Sequence, residues 1–401
     1  MAVLENKRVI VCVTAGIAAY KAVEVVRLLQ KEGADVWVAM TLGAKEFVGE
    51  MTFASISGHP VLSNLFEEGK GASIGHIEMA EKADVVVVAP ATANIIGKLA
   101  HGIADDAVTT TMLAVTAPKL ICPAMNTHMY ENRAVQRNLD VLEGDGYQVV
   151  EPGVGEMACG TTGPGRLPEP ATIVDRVKAA LITKDLAGKK IVVSAGPTRE
   201  AIDPVRYISN RSSGKMGYEI ARAAEYRGAE VTLVSGPVGL DAPVGVDRIS
   251  VTSVDEMAEA VFSRMETADA VIKVAAVADY RPRNRAEHKI KKKSDDMTIE
   301  LDKNIDILKE LGKRKTHQVL IGFAAETQSL AENARKKIEA KNLDMIVGNL
   351  VGDPRSGFGT DTNIVTFFHP DGRKEPFESM GKDQVAHELL DRVAGLMKAR
   401  G

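Results

Sequence analysis

One of the three cysteines of this sequence lies where a structural role does not explain it. Cys159 belongs to the glycine-rich segment GVGEMACGTTGPG, whereas Cys12 and Cys122 lie in apolar runs that are typical of buried strands. A loop as long as 152–170 is usually a lid over a site or a linker. A lid that delivers a proton needs an acidic group, so Cys159 is a candidate proton donor. The residues alone leave lid and linker equally open.

An asparagine and a histidine in the same half could handle a carboxylate and a proton. Asn126, in PAMNTHMY, falls just past an apolar strand-like run, and its amide could donate to a substrate carboxylate. His76, in GHIEMA, lies where a loop meets a predicted helix start. A histidine at that position could act as a general base. The alternatives are a helix N-cap for Asn126 and a structural role for His76.

Two strand-to-helix turns that are rich in small residues could hold a ligand. They are TAGIAAYK at 14–21 and APATAN at 89–94. Free N–H groups at a helix start bind phosphate where a residue such as Gly16 permits close approach. Neither half has GxGxxG after its first strand, so a nicotinamide-binding unit is not supported. Tight turns that bind nothing remain the alternative.

In the second half, a long polar segment separates a predicted strand from a helix. PTREAIDPVRYISNRSSGKMG contains Arg206 and Asn210 and places SSG directly before the helix start. That junction is suited to phosphate. An insertion after the first strand of an open α/β sheet also lies where such sheets bind ligands. The alternative is a solvated polar loop.

An aspartate and a basic run follow a later strand. Asp279 ends VAAVADY, and KIKKK at 289–293 stands out in a chain of net charge −4. The aspartate could bind a metal or a ribose, or cap a turn, while lysines balance phosphate charge in nucleotide chemistry. Lys337 and Lys341 share one face of a predicted helix. The absence of GxxxxGK[ST] excludes the ordinary P-loop fold, and a solvated basic surface is the alternative.

Alternating strands and helices must position these segments. Apolar, β-branched runs predict strands at 8–14, 35–40, 84–90 and 119–123 and again at 190–195, 230–235, 270–277, 319–324 and 344–348. A helix is predicted at 18–31, with Val23, Val26 and Leu29 on one side. The pattern predicts an α/β protein with two doubly wound, Rossmann-like domains, 1–185 and 186–401.

Composition and charge exclude several protein classes. A chain of 401 residues that is 45% hydrophobic exceeds one typical domain. The near-neutral net charge favours neither nucleic-acid binding nor membrane-surface binding. No apolar run reaches the roughly 20 residues of a membrane span. Few cysteines and a start unlike a signal peptide predict a cytoplasmic protein without disulfides.

Residues 5–180 resemble the family of flavin-dependent cysteine decarboxylases. GxxAAYK, the histidine of GHIE, PxMNxxM and the ACG of a glycine-rich loop occur in the family's order. Tyr130 departs from the pattern, because several members have tryptophan there. The resemblance implies a flavodoxin-like domain whose FMN is held by Gly16, Ile17, Thr41, Ala89, Thr92 and Asn94.

The same resemblance implies roles for the reactive residues. His76 is the expected base, Asn126 holds the substrate carboxylate beside Met125, and Cys159 donates a proton. A carboxylate on an unactivated carbon cannot leave as CO2, because the resulting carbanion has no electron sink. Flavin oxidation of the substrate thiol to a thioaldehyde supplies that sink. Reduced flavin and the Cys159 proton then restore a saturated thiol.

Residues 188–400 resemble phosphopantothenate–cysteine ligases. AGPTRE, DPVRYISNxSSGxMG, AAVADYRP, KIKK and GFAAET are present, and KNIDIL has Ile305 where proline is more usual. The resemblance implies that Asn210 and Lys289 stabilise an acyl-nucleotide intermediate. It also implies CTP as the nucleotide, with Mg²⁺ held mainly by the phosphates. The implied substrate-binding and nucleotide-binding residues are Arg206, Ser212, Gly214, Asp279, Lys289, Ile305, Asp306, Ile307, Leu308, Phe323, Lys337 and Lys341.

Together the two resemblances imply consecutive steps of coenzyme A synthesis. The ligase joins 4'-phosphopantothenate to L-cysteine, and the decarboxylase converts the product to 4'-phosphopantetheine. The expected partners are these small molecules and further copies of the chain, as flavin-domain trimers, ligase-domain dimers and a dodecamer. One alternative is an FMN-binding regulatory protein of the same fold, which the presence of His76, Asn126 and Cys159 disfavours. The other is a dinucleotide-dependent reductase, which the missing GxGxxG disfavours.

Overall fold

The computed structural model describes residues 3–65, 75–156, 160–291, 297–326, 330–350, 357 and 359–400. The chain divides into two compact units, Met1–Ile182 and Thr183–Gly401, each built around its own largely parallel sheet. Across the described residues, no helix has both the length and the apolar character that crossing a membrane would require.

The described residues of the first unit alternate strands and helices as the hydrophobic pattern predicts. Its strands are β1 (Arg8–Val13), β2 (Asp35–Met40), β3 (Val85–Ala91), β4 (Lys119–Pro123), β5 (Tyr147–Val149), β6 (Gly153–Glu156) and β7 (Thr162–Arg166). Its α-helices are α1 (Ala19–Lys31), α2 (Glu50–Ser57), α3 (His76–Glu81), α4 (Ala93–Ala100), α5 (Ala107–Ala114), α6 (Thr127–Tyr130), α7 (Arg133–Gly144) and α8 (Pro170–Leu181).

The central sheet of this unit is parallel and has the strand order β2-β1-β3-β4-β5. This is the flavodoxin-like order, with the switch point between β1 and β3. Helices cover both faces, so β3 is buried along its whole length. On α1 the buried residues include Val26 and Leu29, while Val23 is half-buried at the edge of the core.

Two cysteines lie inside this sheet. Cys12 on β1 and Cys122 on β4 are fully buried. Burial raises the pKa of the Cys12 thiol to about 12, with a smaller contribution from the charge of Asp106. Burial likewise raises the pKa of Cys122. Both thiols therefore stay protonated and unreactive at neutral pH, as the strand-like sequence context predicts.

The second unit repeats the alternation with more short strands. Its described strands are β8 (Lys190–Ala195), β9 (Arg199–Ala201), β10 (Tyr207–Ser209), β11 (Glu230–Ser235), β12 (Asp247–Ser250), β13 (Ala270–Lys273), β14 (Tyr280–Pro282), β15 (Leu301–Lys303), β16 (Val319–Glu326), β17 (Met345–Leu350), β18 (Thr362–Asn363), β19 (Val365–Phe368), β20 (Lys374–Pro376) and β21 (Met380–Gly381). Its helices are α9 (Lys215–Tyr226), α10 (Val254–Met265), α11 (Ile307–Arg314), α12 (Leu330–Lys341) and α13 (Lys382–Lys398).

The main sheet of this unit has the order β12-β11-β8-β13-β16-β17-β19-β20. Its first six strands are parallel and follow the Rossmann order, and antiparallel β19 and β20 extend one edge. The prediction of two doubly wound, Rossmann-like folds is confirmed.

One predicted strand is shorter than its apolar run. The run 270–277 forms a strand only as far as Lys273, since Val274 still bonds to β8 but Ala276 bonds to the loop after β8. Val274 N donates to Ser194 O at 3.1 Å, and Ala276 N donates to Gly196 O at 2.9 Å. The segment that follows β13 is thereby held against the loop between β8 and β9.

Candidate functional site

A cavity of about 900 Å³ opens at the carboxyl ends of the strands of the first unit. It lies at the switch point, since the turns after β1 and β3 form its walls and residues after β2 and β4 complete it. Open α/β sheets bind ligands at this place. The cavity is lined mainly by Thr14–Ala18, Thr41–Gly43, Thr92–Ile95, Ala124–Asn126 and Gly165–Leu167.

Most residues that the sequence predicts for the cofactor do line this cavity. They are Gly16, Ile17, Thr41, Thr92 and Asn94, and the predicted substrate residue Met125 lies with them. Ala89 does not: it is fully buried within β3, one residue before the cavity wall begins at Pro90.

The residues present fit a flavin nucleotide. The Oγ1 atom of Thr41 is buried and has no hydrogen-bond partner among the described residues, so it is free to bond to a ligand. The cationic side chains of Lys21, Lys98 and Arg166 also border the cavity. A volume of this size exceeds the usual minimum for a cofactor site.

Asn126 lines the cavity and also caps a helix, so the two interpretations of this residue are compatible. Its Oδ1 accepts a hydrogen bond from His128 N at 2.9 Å at the start of α6. Its Nδ2 donates to Thr161 Oγ1 at 3.2 Å. Thr161 belongs to the connection between β6 and β7, so the amide links the cavity wall to the glycine-rich segment.

That segment folds as an antiparallel hairpin rather than as a linker. Strands β6 and β7 pair with each other, and Met125 N donates to Gly165 O at 2.9 Å. A Cβ atom at Gly163 would stand 2.8 Å from the side chain of Thr127, so this close approach requires glycine. The hairpin is therefore fastened to the Asn126 loop, as a lid over the cavity would be.

Two residues predicted for this site remain. Cys159 lies outside the described residues. His76 is half-buried, begins α3, and is not among the residues that line the cavity. Its own unit therefore does not bring it to the wall where Asn126 lies.

The mouth of the cavity is apolar. Ile17, Tyr20, Leu42 and Met129 line it, yet each leaves about half or more of its surface exposed, up to 66% for Ile17. Phe47 and Met51, a few residues after Leu42, are exposed as well. Concentration of large apolar side chains around a site marks a surface that binds something.

The second unit has a small pocket of about 80 Å³ at the start of α9. Ser212, Gly214 and Phe323, all predicted from the sequence, line it, and the buried Lys382 lies beside them. A Cβ atom at Gly217 would stand 2.6 Å from that of Ala195, so only glycine lets the first turn of α9 pack on the end of β8. The pocket has the size and helix-start geometry of a phosphate subsite.

Three further predicted residues lie in loops of this unit: Arg206 between β9 and β10, Asn210 directly after β10, and Lys289 between β14 and β15. Arg206 donates through Nε and Nη2 to Asp203 Oδ2, at 3.0 and 2.5 Å. Asn210, which is exposed, donates through Nδ2 to Ala276 O at 3.0 Å and to Val277 O at 3.1 Å. Lys289 is exposed. None of these three lines the small pocket.

The predicted nucleotide residues gather around a lysine that the sequence patterns missed. Asp306 caps α11 and pairs with Lys341, whose Nζ lies 2.8 Å from Oδ2. The half-buried Lys273 at the end of β13 lies within electrostatic reach of both. Burial, together with the charges of Lys341 and Lys337, lowers the pKa of Lys273 to about 8, against the opposing effect of Asp306 and Asp279. The sequence feature that could have identified it is a single lysine within the apolar run AVIKVAAV.

The other predicted nucleotide residues differ in what they can offer a ligand. Asp279 and Ile305 are exposed, and Asn304 N donates to Asp279 O at 2.8 Å, which joins their two segments. Ile307 and Leu308 are the first two residues of α11, and their side chains are buried in the core. Only their backbone could therefore contact a nucleotide. Within the described residues no cluster of three acidic, histidine or cysteine side chains suits a metal ion.

We expect Lys273→Met to stabilise the fold at neutral pH. The folded lysine has a pKa near 8 against an ordinary 10.5, so the unfolded chain binds more protons between these values and stability rises with pH there. Below pH 8 the lysine is charged in the folded chain, so the full free-energy cost of burying that charge is present. Removing it should add roughly 1–3 kcal/mol at pH 7 and flatten the dependence above pH 8.

Urea unfolding of the full chain at pH 7 and pH 10 measures this effect. Lys309→Met, at an exposed position on α11, is the matched control and should leave stability and its pH dependence unchanged. If Lys273→Met is no more stable than wild type at pH 7, the charge of Lys273 does not destabilise the folded chain.

Comparisons with known proteins cover both units. Residues 2–182 match the family model described as "Flavoprotein", and residues 186–397 match the model for the DNA/pantothenate metabolism flavoprotein C-terminal domain. The coenzyme A biosynthesis bifunctional protein CoaBC of Bacillus subtilis (strain 168) is 52% identical over 402 residues, which cover 99% of each chain. That of Escherichia coli (strain K12) is 46% identical over 396 residues, 97% of each chain.

Solved structures resemble the units separately. The C-terminal domain of a coenzyme A biosynthesis bifunctional protein is 45% identical and covers 54% of this chain and all of its own, with a TM-score of 0.47. The FMN-dependent cysteine decarboxylase SpaF is 32% identical and covers 45% of this chain and 99% of its own, with a TM-score of 0.39.

Proposed function

Because this chain belongs to the family of coenzyme A biosynthesis bifunctional proteins, we propose that its two units divide the two reactions of that family between them. The chain is a bifunctional enzyme, a phosphopantothenate–cysteine ligase and a phosphopantothenoylcysteine decarboxylase. The unit Met1–Ile182 carries the decarboxylase and the unit Thr183–Gly401 the ligase. The observation that supports this division most directly is the 900 Å³ cavity at the flavodoxin-type switch point of the first unit.

FMN is the cofactor of the decarboxylase, and when bound it supplies an acceptor and donor of two electrons for the substrate thiol. Gly16, Thr41 and Thr92, which line the cavity, would hold it. The Asn126 amide binds the substrate carboxylate, and Met125 lies beside it in the cavity wall. The β6–β7 hairpin covers the substrate. His76 takes the proton that substrate oxidation releases, and Cys159 returns a proton after CO2 leaves.

His76 reaches the reacting atoms from a neighbouring subunit. Its absence from the cavity wall of its own unit supports this arrangement. So does the apolar mouth formed by Ile17, Tyr20, Leu42 and Met129, which a second copy would cover. The flavin units form trimers with FMN at the subunit contact, the ligase units pair as dimers, and a dodecamer satisfies both contacts.

In the ligase unit, the carboxylate of 4'-phosphopantothenate attacks the α-phosphate of CTP and displaces pyrophosphate, which gives an acyl-cytidylate. The cysteine amine then attacks the acyl carbon and CMP leaves.

The helix start at Ser212–Gly214 holds a phosphate group, and Lys289 balances charge during the first step. Asp279, Ile305, Asp306, Phe323, Lys337 and Lys341 bind the nucleotide, with Ile307 and Leu308 contributing backbone groups. Lys273 joins this set. Mg²⁺ is held mainly by the phosphates.

A single assay of the full chain tests this proposal. The purified protein is incubated with 4'-phosphopantothenate, cysteine and either CTP or ATP, with and without EDTA, and products are followed by mass spectrometry. The expected result is ligation with CTP, weak ligation with ATP, loss with EDTA, and conversion of the ligated product to 4'-phosphopantetheine with release of CO2. Equal rates with both nucleotides would reject the CTP assignment, and activity in EDTA would reject the Mg²⁺ requirement.

An Asn126→Asp variant should separate the capping role of this residue from its substrate role. The remaining oxygen still accepts from His128 N, so α6 keeps its start. The new negative charge repels the substrate carboxylate, and we expect kcat/KM for decarboxylation to fall about 10- to 100-fold with FMN still bound.

Asn132→Asp is the matched control for this variant. Asn132 caps α7 in the same way, through a bond from Ala134 N at 2.9 Å, and does not line the cavity. It should decarboxylate at the wild-type rate, measured as CO2 release from ligated substrate. Equal effects of the two substitutions would show that Asn126 acts only as a cap.

A further inference from the structure

The segment that carries Lys289 is bonded to the β9–β10 hairpin, and one of the groups that hold it there is the carboxylate of Asp203. Asp203 is 2% exposed, and its Oδ2 accepts a hydrogen bond from Ile290 N at 3.1 Å. The Ile290 carbonyl in turn accepts from Arg206 Nη2 at 3.0 Å. Both backbone groups of the residue next to Lys289 are therefore held by the Asp203–Arg206 pair.

The pair is itself rigidly built. Oδ1 of Asp203 accepts from Val205 N and Arg206 N, both at 2.8 Å, which fixes the carboxylate in the turn of the hairpin. Oδ2 accepts the two guanidinium bonds described above. The Arg206 guanidinium holds the pKa of Asp203 far below its usual range, so the carboxylate is charged throughout the pH range in which the protein works. A second bond, from Ala286 N to Ile202 O at 3.0 Å, fixes the start of the same segment.

Lys289 depends on this anchoring because its own side chain offers none. Among the described residues it is exposed and makes no hydrogen bond or ion pair with protein. A lysine has four rotatable side-chain bonds, so it reaches one point in space reproducibly only if its backbone is fixed. The backbone contacts of Ile290 provide that.

We propose that Asp203 is a positioning residue of the ligase, which acts through Ile290 to present the Lys289 ammonium to the phosphates of the nucleotide. This inference rests on the proposed role of Lys289 in forming the acyl-nucleotide. It changes the assignment of Arg206, whose guanidinium is engaged with Asp203 and Ile290 rather than directed at a substrate. The carboxylate itself touches no reacting atom.

The Asp203→Asn substitution isolates the anchoring function of the carboxylate. The amide oxygen can still accept from Val205 N and Arg206 N, so the turn of the hairpin is kept. The amide nitrogen that replaces Oδ2 cannot accept from Ile290 N or from the guanidinium. We expect hydrogen exchange at the Ile290 amide to accelerate at least about 10-fold. Formation of the acyl-nucleotide should slow about 10- to 100-fold, the factor expected for loss of a charge-assisted hydrogen bond.

A double-mutant comparison tests whether Asp203 acts through Lys289. Asp203→Asn should slow the wild-type enzyme but should add no further slowing to Lys289→Gln, since the group that it positions is already gone. The matched control is Asp302→Asn, which breaks an exposed pair with Arg283 in the same part of the unit. That control should change neither the rate nor exchange at Ile290.

The outcomes separate this inference from the proposed function. If Lys289→Gln forms the acyl-nucleotide at the wild-type rate, the role of Lys289 is wrong and this inference falls with it. If Lys289→Gln is slow but Asp203→Asn slows it further by the same factor as in wild type, only the positioning role is rejected. Unchanged hydrogen exchange at the Ile290 amide also rejects the positioning role.

If Asp203→Asn fails to fold, Arg206→Lys serves as a second variant. It retains the charge and loses the contact with the Ile290 carbonyl. It should slow the wild-type enzyme but add no further slowing to Lys289→Gln.

Discussion

An Asn210→Asp variant is expected to accumulate 4'-phosphopantothenoyl-CMP and to fail in joining it to cysteine. When the cysteine amine attacks, the acyl carbonyl becomes an oxyanion, and an amide donor there is worth roughly 3–4 kcal/mol, or about 100- to 1000-fold in rate. The substitution turns that donor into a negative charge. The first half-reaction releases pyrophosphate without forming this oxyanion, so it should proceed and serve as the internal control.

The contacts of Asn210 sharpen the test, because the oxyanion role requires its amide to turn from two backbone carbonyls to the reacting carbonyl. Its Nδ2 donates to the carbonyls of Ala276 and Val277, in the segment that leads from β13 to Asp279. If the amide serves only to hold that segment, the carboxylate variant should disturb nucleotide binding and slow both half-reactions. Mass spectrometry with CTP, with and without cysteine, distinguishes the cases. Ligated product at the wild-type rate, or no acyl-nucleotide at all, would contradict the oxyanion role.

The second large effect concerns His76 in the decarboxylase unit. A positioned base contributes about 100- to 10,000-fold to proton transfer, so His76→Asn should slow reduction of the flavin by substrate by that factor. FMN should remain bound, because the residues proposed to hold it, Gly16, Thr41 and Thr92, are unchanged. Anaerobic mixing of the holoenzyme with substrate, followed by visible flavin absorbance, measures the rate. His101→Asn, at an exposed histidine bonded to Gly97 O, is the control.

Mixing experiments test whether the histidine acts across subunits. His76→Asn and Asn126→Asp chains, dissociated and reassembled together, should regain part of the decarboxylase activity, because some sites then combine an intact His76 with an intact Asn126. No recovery on mixing would place both residues in one chain's site. A wild-type rate of flavin reduction in His76→Asn alone would show that the base lies elsewhere.

The order and type of the main elements could be predicted from the sequence because the sheets are buried on both faces. Continuous β-branched runs such as VIVCV and VVVVA have one stable environment, a parallel strand covered by helices, and they became β1 and β3. The strand orders were not readable in this way. They depend on which strand ends pair across the chain, which local patterns do not encode.

The hairpins escaped prediction for a different reason. GVGE and TGPGR, which form β6 and β7, contain almost no strand-favouring residues. Their pairing depends instead on tertiary contacts, such as the Gly163 approach to Thr127 and the bond between Met125 N and Gly165 O. The Asp203–Arg206 pair was likewise invisible, because its partner Ile290 is distant in the chain and the contact uses backbone groups.

Within the candidate sites, residues that follow strand ends were the most predictable. Gly16, Thr41, Thr92 and Asn126 all lie just past a strand of one parallel sheet, so their convergence follows from topology. Lys273 was missed because it ends a strand instead of following one, and a single charged residue in an apolar run has little weight as a pattern.

The burial of two cysteines has a practical consequence for labelling. Cys12 and Cys122 are inaccessible and protonated inside the first sheet, and the sequence has only one other cysteine. Alkylation of the native chain by iodoacetamide at neutral pH is therefore confined to Cys159. A fluorophore or spin label could be attached to that thiol without removing any native cysteine.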